Sequence, residues 1–410
     1  MRRGGLNVLV GLVALVMVAG ACSQSKTSGQ GTQTKKPLLI GASLPLTGDF
    51  SEPGTAAKQG YEVWQDTVNK SGGLLGRQVK LVIKDDASDQ NTIVADYNRL
   101  ISQDKVDLLL GSFSSLLNIP ASAVAERNQK VYICPACGSP DMFNRGFQFI
   151  FFAQPATAIH QADQFSDWVT SLPADQRPKT AAYPAQDDPF AAPVVDGIRQ
   201  KLEAAGVQTV YSEIYPPDTA NFDPIASAIK SSGAELIAQG SVFEDGVGLV
   251  RSLAKIDYSP KAMFQTTAPS LGAQYSNGVG TSNTEGIFYA VSWSPAADYP
   301  LNADFVKNYV AKFGGDPGAI PEDAADAFAA AQVLQAAVKG VGSLDQKALA
   351  DWIHSNTVDT ILGPLSWNDA GAPQQAFILA QWQSGKSQIV LPQDVATSTQ
   401  IVFPKPGWQS

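Results

Sequence analysis

The chain has 410 residues, 44% hydrophobic and 16% charged, with a formal net charge of −9 from 29 basic and 38 acidic side chains. That composition excludes a disordered or collagen-like chain, and the length exceeds the roughly 250–300 residues at which one core stops growing, so two lobes are expected. The acidic balance, with no long basic run, argues against nucleic acid as a partner.

The N-terminus reads as an export signal. Arg2 and Arg3 precede an apolar run over 8–18, then Ala19, Gly20, Ala21 and Cys22, the order of charged region, apolar region and small-residue cleavage site. The run falls short of the roughly 20 residues that cross a bilayer. A signal peptide over 1–21 and an exported body are therefore expected. Ala-Gly-Ala-Cys resembles a bacterial lipobox, which implies a lipid on Cys22 and attachment to a membrane. The same residues also fit an ordinary Ala-x-Ala site, which leaves Cys22 a free thiol in an oxidising compartment. Residues 22–36, built after the cysteine from Ser, Gln, Thr, Lys and Gly, suit a flexible tether and favour the lipid.

From there strand and helix signals alternate. Strands are expected over 37–44, 79–83, 106–110, 131–133 and 149–152, with helices over 55–68, 93–101 and 119–128 between them. A second series follows, with helices over 159–172, 194–205, 224–231 and 247–256 and strands over 180–183, 209–215, 236–238 and 262–265. Such alternation implies an α/β fold of mainly parallel sheets covered on both faces. Ligands of such sheets bind beyond the carboxyl ends of the strands, which directs attention to 46–54, 112–118, 134–141, 186–190, 241–245 and 266–270.

Within those segments, Ser114 and Ser115 stand at the start of a helix, where hydroxyls and free N–H groups either cap the helix or receive an anion. Cys134-Pro-Ala-Cys137 is a CxxC pair with three readings: a redox couple, a structural disulfide, or two small buried thiols. The pair offers a zinc ion two ligands, with only His160 and His354 in the whole chain to add imidazoles, so neither metal nor cofactor is expected. Asp85 and Asp86 adjoin at a strand end, face opposite ways and read as solvated. No nucleophile elbow, phosphate loop or dinucleotide fingerprint occurs, and no enzyme is expected.

The blocks IGASLPLTGDFSEPGTAAKQGYE, VNKSGGLLGRQVKLVIKDDASDQ, LLLGSFSS, CPACGSPDMFNRGFQFIF and LGPLSWNDAGAPQQAFILAQW together resemble the leucine/isoleucine/valine-binding protein family, the branched-chain amino acid branch of the type I periplasmic binding proteins. The resemblance implies two lobes joined by three crossings near 152–158, 289–295 and 360–364. Lobe one would comprise 37–154 plus 290–361, and lobe two 155–289 plus 362–410. It further implies a small solute captured between the lobes by hinge closure and delivered to an ABC-type permease. A ligand-sensing adaptor of the same fold is the alternative, and a thiol oxidoreductase using Cys134 and Cys137 a third reading.

Carried over residue by residue, the resemblance assigns the solute carboxylate to Ser115 beside Ser114, and the covering loop to Phe50 and Pro53. Loop backbone contacts fall to Ala136, Cys137 and Gly138, and lobe-two contacts to Phe190, Val242 and Ala268. The chain departs from amino acid binders at the ammonium end. Gly138 stands where the family has a hydroxyl, Ala268 where it has an acid, Phe190 lacks the usual ring hydroxyl, and Phe152 replaces a frequent Arg. A small apolar or aromatic carboxylate, or an amide, is therefore expected, with Asp187, Asp188, Glu244 and Asp245 as the carboxylates still available in lobe two.

Overall fold

The structure, a computed structural model, describes residues 35–408. The expected signal peptide, Cys22 and all but the last two tether residues lie outside the described residues. The chain opens with β1 (Leu38–Leu44), α1 (Ser51–Lys70), β2 (Val79–Asp85), α2 (Gln90–Ser102), β3 (Leu108–Leu110), α3 (Ser115–Arg127), β4 (Tyr132–Cys134) and β5 (Ile150–Phe152). Their five strands form one parallel sheet in the order β2-β1-β3-β4-β5. Leu38, Ile40, Ala42 and Leu44 are all fully buried, as expected of a strand with helices over its sheet.

The chain then builds a second sheet through α4 (Asp163–Ser171), β6 (Thr180–Gln186), α5 (Ala191–Ala204), β7 (Gln208–Tyr215), α6 (Asp223–Ser232), β8 (Leu236–Gln239), α7 (Glu244–Lys255), β9 (Ala262–Gln265), α8 (Ala273–Val279) and β10 (Ile287–Val291). It returns to the first lobe as α9 (Asn302–Phe313), α10 (Glu322–Val341), α11 (Gln346–Ser355) and the hairpin β11 (Val358–Thr360) and β12 (Gly363–Leu365). It ends with β13 (Ile378–Gln383) and β14 (Lys386–Leu391), which close the second sheet as β14-β13-β10-β9-β8-β6-β7, antiparallel only at that edge. Two lobes, each a mainly parallel sheet with its own helices, follow from this path.

Three sequence expectations are corrected. The helix expected over 159–172 divides into a 3-10 turn at Ala158–His160 and α4. Close packing accompanies the break: a Cβ on Gly197 of α5 would lie 2.0 Å from the Ile159 carbonyl oxygen. The expected lobe boundary at 290 falls inside β10, whose Ala290 and Val291 pair with Leu379 and Ile378 in the second sheet. The third crossing lies later than 360–364, because Leu362, Leu365 and Trp367 belong to the first core and Phe377 to the second. The hairpin is pinned to lobe one where the Ile361 N–H donates to Gln332 Oε1 at 2.9 Å.

The longest element in the returning segment, α10, carries no helical periodicity in sequence. It is buried on every side from Ala324 to Leu334, so the apolar stripe that marks a surface helix is lost. It packs on α1 so closely that a Cβ on Gly60 would meet the Ala324 carbonyl oxygen at 2.0 Å. This contact sets where the first turn of α10, with Glu322, Asp323 and Asp326, stands in the molecule.

Candidate functional site

Both lobes contribute to a cleft of about 700 Å³ whose lining loops follow the carboxyl ends of the parallel strands. Lobe one supplies Phe50 after β1, Phe113, Ser114 and Ser115 after β3, and Ala136 and Gly138 after β4. Lobe two supplies Asp188 and Phe190 after β6, Val242 after β8, and Thr266, Thr267 and Ser270 after β9. Of the residues singled out from sequence, Phe50, Ser114, Ser115, Ala136, Gly138, Phe190 and Val242 thus face one cavity.

The other three stand elsewhere. Pro53 lines an adjoining cavity of about 1390 Å³. Cys137 is fully buried and bonded to Cys134, which is also fully buried. Neither sulfur is exposed to solvent. Ala268 is fully buried against α7, its Cβ 2.4 Å from where one on Gly246 would be. Its Cβ faces that helix, so replacing it with an acid would not by itself put a carboxylate in the cleft.

The lobe-one floor is held by a residue that sequence reading passed over. Asn118, fully buried on α3, donates from Nδ2 to the carbonyls of Ser112 (2.7 Å), Ser114 (2.9 Å) and Ala136 (3.0 Å) and accepts from the Ser112 N–H and the Tyr132 hydroxyl. One side chain therefore fixes the loops after β3 and β4 relative to each other. Ser115 Oγ accepts from the Ser139 N–H at 3.1 Å, which leaves its own proton free to donate. Ser114 Oγ, also buried, has no partner among the described residues. Together with the N-terminus of α3, these hydroxyls form a donor-rich end suited to a carboxylate or amide oxygen.

The aspartate pair read as solvated proves to be two different groups. Asp85 is exposed and accepts from the N–H groups of Leu46 (3.0 Å) and Thr47 (3.2 Å). Asp86 is fully buried, accepts from Ser88 N–H at 3.0 Å and Ser112 Oγ at 3.2 Å, and is pushed up to about 7 by burial.

Acidic groups enter the cleft from α10. Glu322, Asp323 and Asp326 line it, and among the described residues no Lys, Arg or His does. Ser292 Oγ lies 2.6 Å from Glu322 Oε1 and 2.5 Å from Asp326 Oδ1. A hydroxyl carries one proton, so the second contact requires a proton on a carboxyl. Burial drives the same outcome: it pushes Glu322 up to about 7, and with the Glu322 charge it pushes Asp323 up to about 7. Asp326 is raised well above the usual carboxylate range by burial and by both neighbours' charges. Gln154, on the first crossing, donates to Asp326 Oδ2 at 2.6 Å and to the Pro135 carbonyl at 2.7 Å, joining α10 to the loop after β4.

Lobe two offers no equivalent. Asp188 is occupied as a cap, accepting from the N–H groups of Phe190 (2.8 Å) and Ala191 (2.9 Å). Asp245 accepts from the Tyr215 hydroxyl at 2.7 Å and Val242 N–H at 2.9 Å, while Asp187 and Glu244 are exposed outside the cleft lining.

A family model described as periplasmic binding protein matches residues 37–387. An amino acid binding protein of Pseudomonas aeruginosa is 26% identical over 380 residues, covering 88% of this chain and 94% of that one. Leu/Ile/Val-binding protein homolog 3 of Brucella melitensis is 25% identical, covering 88% and 95%. Among solved structures, the leucine-binding protein LivK of Thermotoga maritima superposes with a TM-score of 0.75 at 19% identity, over 86% of this chain and 97% of that one. An R. palustris solute-binding protein in complex with benzoate gives 0.72 at 19%, over 90% and 97%.

Proposed function

Because the chain belongs to the periplasmic binding protein family, we propose that it captures a small organic solute in the cleft between its lobes and hands it to an ABC-type permease. The observation that carries this reading is the convergence on one cavity of loops from both sheets, all at strand carboxyl ends. A solute touching both lobes stabilises the closed arrangement over the open one by its extra contacts, which is all that hinge closure needs. Phe50, Phe113, Phe152 and Phe190 supply an apolar wall, and Ser114, Ser115 and the first turn of α3 an oxygen-binding end. Pro53, Cys137 and Ala268 leave the ligand set on this reading, and Glu322, Asp323 and Gln161 enter it. Solute released by denaturing the purified protein and identified by mass spectrometry should raise the melting temperature when added back to stripped protein. Absence of any released solute, together with no thermal response across a metabolite panel, would refute capture.

Localisation is extracytoplasmic, as for the family, and we extend it to a lipid anchor on Cys22. The support is the resemblance of Ala19 to Cys22 to a lipobox and the polar tether that follows. Cys22→Ser should move the protein from the membrane fraction to the soluble one; a wild type already soluble would contradict the anchor.

A further inference from the structure

β2, β5, β14 and β7 stand at the edges of the two large sheets, and the chain itself covers three of them. On β2, the Val79 N–H donates to Asn69 Oδ1 at 2.7 Å, Asn69 Nδ2 donates to the Val79 carbonyl at 2.8 Å, and the Leu81 N–H donates to Gln65 Oε1 at 2.8 Å, both partners lying on α1. On β5, the Phe152 N–H donates to the Gly371 carbonyl at 3.3 Å. On β14, the Ile389 N–H donates to Thr397 Oγ1 at 2.8 Å and its carbonyl accepts from the Thr397 N–H at 2.9 Å. The fourth edge, β7, has no such cover. The Tyr215 carbonyl accepts from the Asp187 N–H at 2.8 Å and so turns toward β6. By the alternation of a strand, the N–H and C=O groups of Ser212 and Ile214 then turn outward, where none has a partner among the described residues. Edge strands that resist pairing carry Lys or Pro or are kept short. β7 has eight residues, more than any other strand among the described residues, with no Lys, Arg or Pro among them. It also holds Ile214, which at 55% is the most exposed large hydrophobic side chain among the described residues.

We propose that β7 is the docking edge for a second copy of this chain, the two strands pairing antiparallel about a two-fold axis through Ser212. Donors and acceptors repeating at strand spacing are matched by another strand, and a two-fold pairing uses the same edge on both copies, which leaves neither exposed. The side chains select the register. With the axis at Ser212, the two Ser212 residues exchange both of their hydrogen bonds, each Tyr211 stands opposite the second copy's Glu213, and each Ile214 stands beside the second copy's Val210. The Tyr211 hydroxyl already donates to the Glu213 carboxylate of its own strand, so the same pairing is available across the two strands. Moving the axis one residue, to Glu213, would set two carboxylates directly opposite each other, which is destabilising. A bulge leaves Val210 without a partner on β6 and bounds the regular stretch on that side. No residue of β7 lines the cleft or the adjoining cavity, so the pairing stands apart from solute capture.

The test is sedimentation velocity of the purified protein over a concentration series. The wild type should pass from the mass of one chain to that of two as concentration rises, and Ile214→Lys and Ser212→Pro should each raise the dimer dissociation constant at least about tenfold. Leu301→Lys, which replaces an exposed hydrophobic side chain outside β7, should associate as the wild type does. Equal far-UV circular dichroism of Ile214→Lys and the wild type would show that the loss is not unfolding. Cysteine substitution reads the register, with Cys22→Ser added so that no other unpaired thiol is present. Oxidised Ser212→Cys should give a disulfide-linked dimer, because facing Cα atoms of a hydrogen-bonded antiparallel pair lie about 5.5 Å apart, within disulfide reach. Ile214→Cys should not, since four residues of stagger put its Cα about 13 Å from that of its copy. A wild type of one chain's mass at every concentration, a dimer unchanged by both edge variants, or cross-linking at Ile214→Cys in preference to Ser212→Cys would each overturn the pairing.

Discussion

Replacing Gly60 by valine is expected to lower the melting temperature by about 5 °C or more and to abolish solute binding. A Cβ at this position would stand 2.0 Å from the Ala324 carbonyl oxygen, a backbone atom that cannot rotate away. Relief requires α1 and α10 to separate, and both lie in the largest core of the molecule. Overpacking a tight core costs roughly 1–3 kcal/mol and more where backbone must move, and each kcal/mol is worth about 2–4 °C in a folding unit of about 150–250 residues, the size range of one lobe. Binding is lost with it because Ala324 directly follows Glu322 and Asp323, so separation withdraws both acids from the cleft. Gly407→Val is the control, since a Cβ there meets nothing within 4 Å among the described residues. Scanning calorimetry decides it; equal melting temperatures would mean that the two helices are not in contact.

The second large effect is on pH dependence. Solute-free protein should lose stability between about pH 4.5 and pH 7. Glu322 and Asp323 are held at about 7 in the folded chain, against an ordinary value of about 4. In that interval the folded state keeps protons that the unfolded state has released, so stability falls as pH rises and levels off above about 7. The groups around them reinforce the sign: Asp326 and Asp188 share the cleft, Tyr289 and Glu52 line the adjoining cavity with Glu322 and Asp323, and among the described residues no basic side chain lines either space. Asp86, at about 7, adds to the slope from lobe one. The carboxyls lowered by their partners, such as Asp85 and Asp223, titrate below this window. A few kcal/mol is the expected scale, read by urea denaturation at a series of pH values. The Glu322→Gln/Asp323→Asn protein should keep only the shallower slope of Asp86, Asp188 and Asp326; an identical slope in both proteins would refute the assignment.

Where sequence and structure agree, the pattern itself was informative. Short apolar runs such as 131–133 and 236–238 have few ways to be buried other than as strands of a covered sheet. Loops at their carboxyl ends then had to meet, and Ser114, Gly138, Phe190 and Val242 do. What stayed hidden has two physical causes. The first is the loss of periodicity in α10, which is buried on every side from Ala324 to Leu334, so that no apolar stripe marks the helix that Glu322 and Asp323 open. The second is that adjacency in sequence says nothing of direction: Cys137 and Ala268 lie one residue from cleft-lining Gly138 and Thr267, yet both are buried out of it. Asn118 was likewise invisible, because a lone Asn on a helix face gains its role only when three loop carbonyls surround it.

The most direct test of solute capture between the lobes is small-angle X-ray scattering of the stripped protein, before and after addition of the solute recovered from it. Closure around a ligand that touches both lobes should reduce the radius of gyration and saturate at one solute per chain, at the concentration that saturates binding. Saturable binding with an unchanged radius of gyration would contradict capture by closure and place the solute on one lobe alone.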